Sequence, residues 1–402
     1  MFRQTARRDP WRAVFDTDWA PESNRTHVSR PIFPELVRSA LIALPLATAL
    51  AISACSGESS SAGGEDPDGG AGGSGTSGST DDAGTGGGPS PAPEAGTKGD
   101  AEAPADFWDS SNIPPAQNVM VFKFLNRSNG TLADDEIFWQ FKSGAINELH
   151  SIAEQPTYDM PANASGRMYF YVCRKGDTTC ASAPSKSKYY DFIEHTIGPN
   201  QYNGNTTRVD AFGLKLALKL HCADGFEQAV GEDYETFAES REATFAKFLA
   251  EVPDEFKAAA QPPFAPYRIV QPGAAGFDPG GAHANYYKAF VDELWAANGI
   301  TIPKPGPNGN GLAAFPDLSA AIYRHVGNKA GTFDAAGKLL DKNLWKDSTT
   351  FYSSPPANYY ARFWHTHGID GRAYGFPYDD AGSYSTYISH KDPQYLLVAI
   401  GW

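Results

Sequence analysis

The sequence predicts a mainly β fold with a mixed α/β part: a β-barrel or sandwich lobe, interrupted by an inserted helical stretch, with the two lobes forming a cleft. Three observations carry this expectation. Strand-like runs open and close the body of the chain, turn-rich pieces separate the early runs, and the middle switches to helical period.

The first run, Asn118–Leu125 (NVMVFKFL), is apolar and partly alternating. Arg167–Cys173 (RMYFYVC) is aromatic and β-prone. Arg208–Leu220 alternates over Leu214, Leu216, Leu218 and Leu220, with Lys215 and Lys219 on the other face. Asn126–Gly130 and Gly198–Asn205 read as turns. Helical stripes then follow at Asp233–Ala250 (Phe237, Phe245, Phe248, Leu249) and Ala284–Ala297 (Tyr287, Phe290, Val291, Leu294, Trp295), both read as core faces. Further helices are expected at Asp317–Val326 and from Ser354 to about His365, where Pro355 and Pro356 suit a first turn. Strands return at Arg372–Tyr378 and Tyr395–Gly401, the last expected to complete a sheet begun by the first.

The chain has 402 residues, and the segment 56–106 is too poor in large apolar residues to fold. Gly, Ser, Ala, Pro and acids dominate it, so burial cannot offset its conformational entropy. It reads as a linker, reaching roughly 40 Å if flexible. Residues 1–55 read as an export signal. Arg30 and Arg38 precede the apolar run Ala40–Ser53, which is too short for a comfortable membrane span and ends in Ile52-Ser53-Ala54-Cys55, similar to a bacterial lipobox. Cys55 is then the expected lipidation site, giving an extracytoplasmic, membrane-anchored lipoprotein. The polar stretch before Arg30 is long for a signal, and a start at Val28 or Val37 is expected. The body is assigned to 107–402, as a monomer.

The net charge of −14 disfavours nucleic acid as a partner. Cys173 and Cys180 flank the loop RKGDTT and can close it, leaving Cys222 as a buried thiol; Cys173–Cys222 is the alternative pairing. No spacing resembles a metal site. His365 and His367 lie two apart and point to different faces of a helix. No nucleophile elbow or phosphate loop is present, and no cofactor is expected.

The chemistry is expected in Tyr189–Asp210. Glu194 sits in an apolar context, DFIEHT, and Asp210 inside an apolar strand, where an acid must be paired or functional. Two strands joined by the turn between them can hold both carboxyls over one surface, the pair that glycosidic cleavage requires. Such a pair is more often a solvated face or salt bridge, so spacing alone does not decide.

The motifs add to this. Glu194-His195-Thr196, then Asn205-Thr206-Thr207-Arg208-Val209-Asp210, then Asn358-Tyr359-Tyr360-Ala361-Arg362-Phe363 and Tyr374-Gly375-Phe376-Pro377-Tyr378-Asp379-Asp380 resemble glycoside hydrolase family 64, β-1,3-glucanases of thaumatin-like architecture. The likeness runs with gaps from about Val119 to Trp402. It implies an inverting hydrolysis of β-1,3-glucan with Glu194 as general acid, Asp210 as general base, and Thr196 and Thr207 lining the subsites. Tyr378 and Asp379 of the C-terminal turn are read as substrate-binding, with stabilisation of the turn itself as the even alternative for Asp379 and the slightly favoured one for Asp380. Apolar Phe192 and Ile193 would raise the Glu194 pKa. His195, the insert around Cys173–Cys180, and a turn without tryptophan depart from the family pattern. A turnover-free carbohydrate-binding module on the same fold is the second expectation, and a structural adhesin the third.

Overall fold

A computed structural model describes residues 102–301, 304, 316–324 and 347–402. The expected signal, most of the linker, Cys55 and the end of the helix at Asp317–Val326 lie outside them. Among the described residues no helix is long and apolar enough to cross a membrane.

Two sheets form one apolar core. The first has five strands, β1 (Met120–Asn126), β4 (Thr157–Met160), β9 (Lys215–Cys222), β10 (Glu227–Gly231) and β13 (Pro393–Gly401), in the order β10-β9-β13-β1-β4. The second has six, β2 (Ile137–Ser143), β3 (Ile146–Ser151), β5 (Asn163–Val172), β6 (Tyr190–Gly198), β7 (Gln201–Thr206) and β12 (Ile388–Lys391), in the order β12-β7-β6-β5-β2-β3. Alternation builds the core. Phe122 and Phe124 from β1, Leu216, Leu218 and Leu220 from β9, and Val398 and Ile400 from β13 meet Trp139, Phe141, Phe170 and Ile193 of the other sheet. Full burial of each such side chain stabilises by about 1.5–3 kcal/mol. β13 lies between β9 and β1 and runs parallel to β1, so the last strand completes the sheet that the first begins, as expected.

The expected strand Arg208–Leu220 is broken. Residues 207–210 leave the sheet, β8 (Ala211–Phe212) pairs with β11 (Ile269–Val270), and β9 starts only at Lys215. The break is a crossing point at Gly213, where a Cβ would stand 1.8 Å from the Tyr190 carbonyl oxygen. Lys215 does face away from the leucines, but it too is covered. It is fully buried, donates to the Glu239 carbonyl, and burial lowers its amine pKa to about 8.

A second core is helical. It gathers Phe245 and Phe248 of α3 (Arg241–Glu251), Val291, Leu294 and Trp295 of α5 (Lys288–Asn298), Leu318 and Ile322 of α6 (Pro316–Tyr323) and Tyr360, Phe363 and Trp364 of α7 (Tyr359–Thr366) around Phe212. The expected helix Asp233–Ala250 is two: Asp233 caps α2 (Tyr234–Ala238), and Ser240 restarts the helix by accepting from the Ala243 N–H at 3.1 Å. The last expected helix begins at Tyr359 rather than Ser354, because Asn358 is its cap. Two short helices complete the α-helices among the described residues, α1 (Thr178–Ser182) and α4 (Asp254–Lys257).

Two other expectations are corrected. Most of Gly198–Asn205 is strand: β6 and β7 meet through Pro199 and Asn200 alone, because Tyr202 packs inward while Gln201, Asn203 and Asn205 face out. Arg372–Tyr378 forms no strand. Its backbone groups bond singly to distant partners: Ala373 N–H to the Tyr384 carbonyl, the Tyr374 carbonyl from Arg208 N–H, and Gly375 N–H to the Asp379 carboxylate.

Candidate active site

Glu194 stands in the middle of β6, on the face of the six-stranded sheet turned away from the sandwich core. Its neighbours Ile193 and His195 point inward. Burying His195 requires Gly166 on β5, where a Cβ would lie 2.5 Å from the imidazole. Burial lowers the His195 pKa to about 3. The outer face is covered at one end: Phe192 is buried, and Arg268 lies over the Tyr190 ring at 3.9 Å. From Glu194 toward the β6–β7 turn the outward side chains of these strands are partly open.

Arg167, directly opposite on β5, holds the carboxyl through Nε at 2.9 Å and Nη2 at 2.8 Å, while its guanidinium stacks on Phe192 at 4.6 Å. About a quarter of the Glu194 side chain remains exposed. Burial raises its pKa, Arg167 opposes that, and the Asp210 charge adds to it; the net direction is upward. Asp210 is thus within electrostatic reach of Glu194. The expected cause is half right: Phe192 shares the Glu194 face, whereas Ile193 is in the sandwich core.

Asp210 itself corrects the reading that singled it out. It is not buried in a strand but exposed at a bend. The buried charge in that stretch is Arg208, which bonds Asp191 at 2.9 Å and Glu232 at 2.6 and 2.7 Å. Asp191 also accepts from the Gly213 and Leu214 N–H groups at 2.7 and 3.0 Å. The backbone around Arg208 is pinned from both sides, its N–H to the Tyr374 carbonyl at 2.8 Å and its carbonyl by the Tyr360 hydroxyl at 2.7 Å. Gln271 N–H bonds the Asp210 carbonyl at 3.1 Å. An exposed carboxylate is therefore mounted on a rigid segment.

Thr196 lies on the Glu194 face, two residues along β6. Thr207 does not fit its implied role as simply: it is buried, and its hydroxyl oxygen accepts from Val209 N–H at 3.2 Å, shaping the bend that carries Asp210. Tyr378 is partly buried, in the C-terminal turn at a positive φ of 74°. Asp379 is corrected. It is fully buried and bonds Arg324 at 2.7 Å, His365 Nε2 at 3.0 Å and Gly375 N–H at 2.8 Å, leaving nothing to offer a substrate. Burial would raise its pKa, but His365 and Arg324 hold it low. Its neighbour Asp380 is exposed. Tyr374 is partly buried, and its hydroxyl pKa is raised by burial and then by the charges of Asp380, Asp379 and Glu194.

Cys173 and Cys180 form the disulfide, Cα atoms 5.4 Å apart, and Cys222 is a buried thiol whose pKa burial raises to about 11. His365 and His367 diverge, to Asp379 and to Glu251 at 2.9 Å. Among the described residues no group of three side chains is set to hold a metal.

Sequence reasoning missed Arg167, Arg208 and Tyr374. The first two had a signal, an arginine at the edge of an apolar run. Tyr374 had none, because its place depends on a turn that packs only in three dimensions.

The fold and motif match known proteins. The family model of glycoside hydrolase 64, described as β-1,3-glucanase, matches residues 141–301 and 303–400. A glucan endo-1,3-β-glucosidase of Cellulosimicrobium cellulans is 24% identical over 264 residues, covering 54% of this chain and 46% of the relative. One of an Arthrobacter strain is 25% identical over the same length and shares. This chain thus aligns with about half the length of these curated relatives. A laminaripentaose-producing β-1,3-glucanase of Paenibacillus barengoltzii, solved with laminarihexaose, superposes with a TM-score of 0.58 at 29% identity, covering 73% of this chain and 78% of that one. A glucanase domain of Clostridium beijerinckii superposes at 0.59 with 20% identity, over 72% of this chain and all of that one, a likeness of fold. The chain belongs to glycoside hydrolase family 64, the β-1,3-glucanases.

Proposed function

We propose that this protein hydrolyses β-1,3-glucan by an inverting mechanism in which Glu194 is the general acid and Asp210 the general base. One observation carries the reading: on an open sheet face, Glu194 has a raised pKa and feels the charge of a rigidly mounted, exposed Asp210. The glucanases of the same family, one solved with laminarihexaose, support the substrate class.

Protonated Glu194 gives its proton to the glycosidic oxygen as the bond to the anomeric carbon breaks. Asp210 takes a proton from the water that attacks that carbon from the opposite side. Inversion needs the two carboxyls roughly 6.5–9.5 Å apart, with the water between. Arg167 completes the acid's cycle, because its ion pair with Glu194 strengthens as the proton leaves and negative charge appears. No cofactor enters these steps.

The test is hydrolysis of a soluble β-1,3-glucan by the wild type, Glu194→Gln and Asp210→Asn, with the first product anomer read by proton NMR. The expected result is an α-anomer from the wild type and two folded, inactive variants. Binding without release of sugar contradicts the enzyme reading and favours a binding module. A first-formed β-anomer contradicts inversion.

We propose as well that the chain is exported and acylated at Cys55. The apolar run Ala40–Ser53 behind Arg30 and Arg38, and the Gly/Ser-rich tether after it, support this. Mass spectrometry of the membrane fraction should find lipid on an N-terminal Cys55, and an intact peptide running through an unmodified Cys55 contradicts it.

A further inference from the structure

The open half of the sheet face carries an aromatic side chain that the reaction does not use. Tyr387 immediately precedes β12, whose Ile388 is buried in the sandwich core. Alternation therefore turns Tyr387 and Ser389 outward, onto the Glu194 face. Ile388 pairs with Gly204 and Glu194 with Asn205, so extending the register by one residue sets Tyr387 across from Asn205, in the cross-strand row of Glu194. Two strand spacings, about 10 Å, separate the two positions.

Tyr387 is 47% exposed, the one large hydrophobic side chain left open among the described residues. Its hydroxyl donates to Asn203 Oδ1 at 3.0 Å, and the Ser389 hydroxyl donates to the same oxygen at 2.9 Å. Asn203 lies two residues along β7 from Asn205. A tyrosine that starts opposite one residue and bonds the side chain two further on must lie along the sheet, not stand off it. Its backbone and hydroxyl are both fixed, so little rotamer entropy remains to be lost on contact. Between Tyr387 and Glu194 lies the partly buried, outward-facing Asn205. A flat aromatic face, fixed at both ends and flanked by polar groups, suits the apolar face of a pyranose ring whose rim is hydroxyl.

We propose that Tyr387 is a sugar-stacking residue, forming with Asn203 a subsite for a glucosyl ring of the substrate chain away from the cleaved bond. This rests on the glucanase reading above. Asn203 acts here as a positioning residue, through the tyrosine hydroxyl.

The experiment compares wild type, Tyr387→Ala and Tyr387→Phe on soluble β-1,3-glucan and on laminaribiose-length aryl glycosides, with binding of laminarihexaose to each variant made also in the Glu194→Gln background. Loss of one stacking face should raise KM for glucan about tenfold with kcat nearly kept. Tyr387→Phe should stay within about threefold of wild type, since the ring remains. Laminarihexaose should bind Tyr387→Ala about tenfold more weakly, with thermal unfolding unchanged. If wild type cleaves glucan and Tyr387→Ala matches it in KM and binding, the stacking inference alone falls. If wild type binds laminarihexaose without cleaving it and Tyr387→Ala weakens that binding, the stacking stands and the hydrolysis falls. If wild type neither binds nor cleaves, both fall.

Discussion

Glu194 on the sheet face and Asp379 in the C-terminal turn each meet an arginine, yet their surroundings drive them in opposite directions. Glu194 keeps a quarter of its side chain open and has Arg167 as its partner, and its pKa is raised, burial first and the Asp210 charge after. Asp379 has no exposure and three kinds of donor, Arg324, His365 and the Gly375 N–H, and its pKa is lowered in spite of burial. The forces are the same in both places, and the number of donors decides the sign. A carboxyl with few donors can hold a proton for chemistry. A carboxyl with every oxygen engaged holds a turn in place.

Exchanging the two roles by mutation gives the largest effects. Glu194→Gln should lower kcat on glucan by about 10²–10⁴-fold, the usual contribution of a general acid, while the urea midpoint barely moves because the ion pair it removes is partly exposed. Initial rates and equilibrium unfolding on one preparation check both halves. Asp379→Ala should do the reverse, costing about 3–5 kcal/mol of stability by leaving Arg324 buried without its partner. Rates per folded molecule at low temperature should fall far less than for Glu194→Gln.

The same contrast appears in pH. Because the folded pKa of Asp379 is below the unfolded one, its stabilisation is complete above the ordinary aspartate range and fades as pH drops through the lowered folded value. Unfolding midpoints should therefore decline on the acid side, less steeply in Asp379→Asn. As the proposed general acid Glu194 must be protonated to act, so kcat/KM should fall as pH rises through its raised pKa. Arg167 opposes that rise, so Arg167→Gln should move this limb to still higher pH, the smallest of the four effects. A limb that stays in place or moves down would break the assigned link between Arg167 and the proton on Glu194.

Local pattern made much of this legible in the sequence. The leucine alternation that became β9, the closing strand beside β1, the helical stripes and the Cys173–Cys180 loop all follow from periodicity or short spacing. Glu194 was singled out as an acid in an apolar strand, and it does stand in one. Asp210 was singled out on the same ground, which does not hold, because its neighbour Arg208 carries the buried charge and the strand breaks there. Gly198–Asn205 read as a turn because Asn and Gly are turn formers, yet Gly204 is required by the packing of Tyr202, whose ring would collide with any Cβ there. Arg372–Tyr378 and the fate of Asp379 were beyond local reasoning, since both depend on partners such as Arg208 and Arg324 that lie far away in the chain.

The central claim is that Glu194 supplies the leaving group's proton. Its most direct test is Glu194→Gln acting on an aryl β-laminarioligoside whose phenolate leaves without protonation, beside the same variant on glucan. Aryl hydrolysis close to the wild-type rate with glucan hydrolysis lost is expected in Glu194→Gln, and loss of both in Asp210→Asn. Equal loss on both substrates in Glu194→Gln would contradict it.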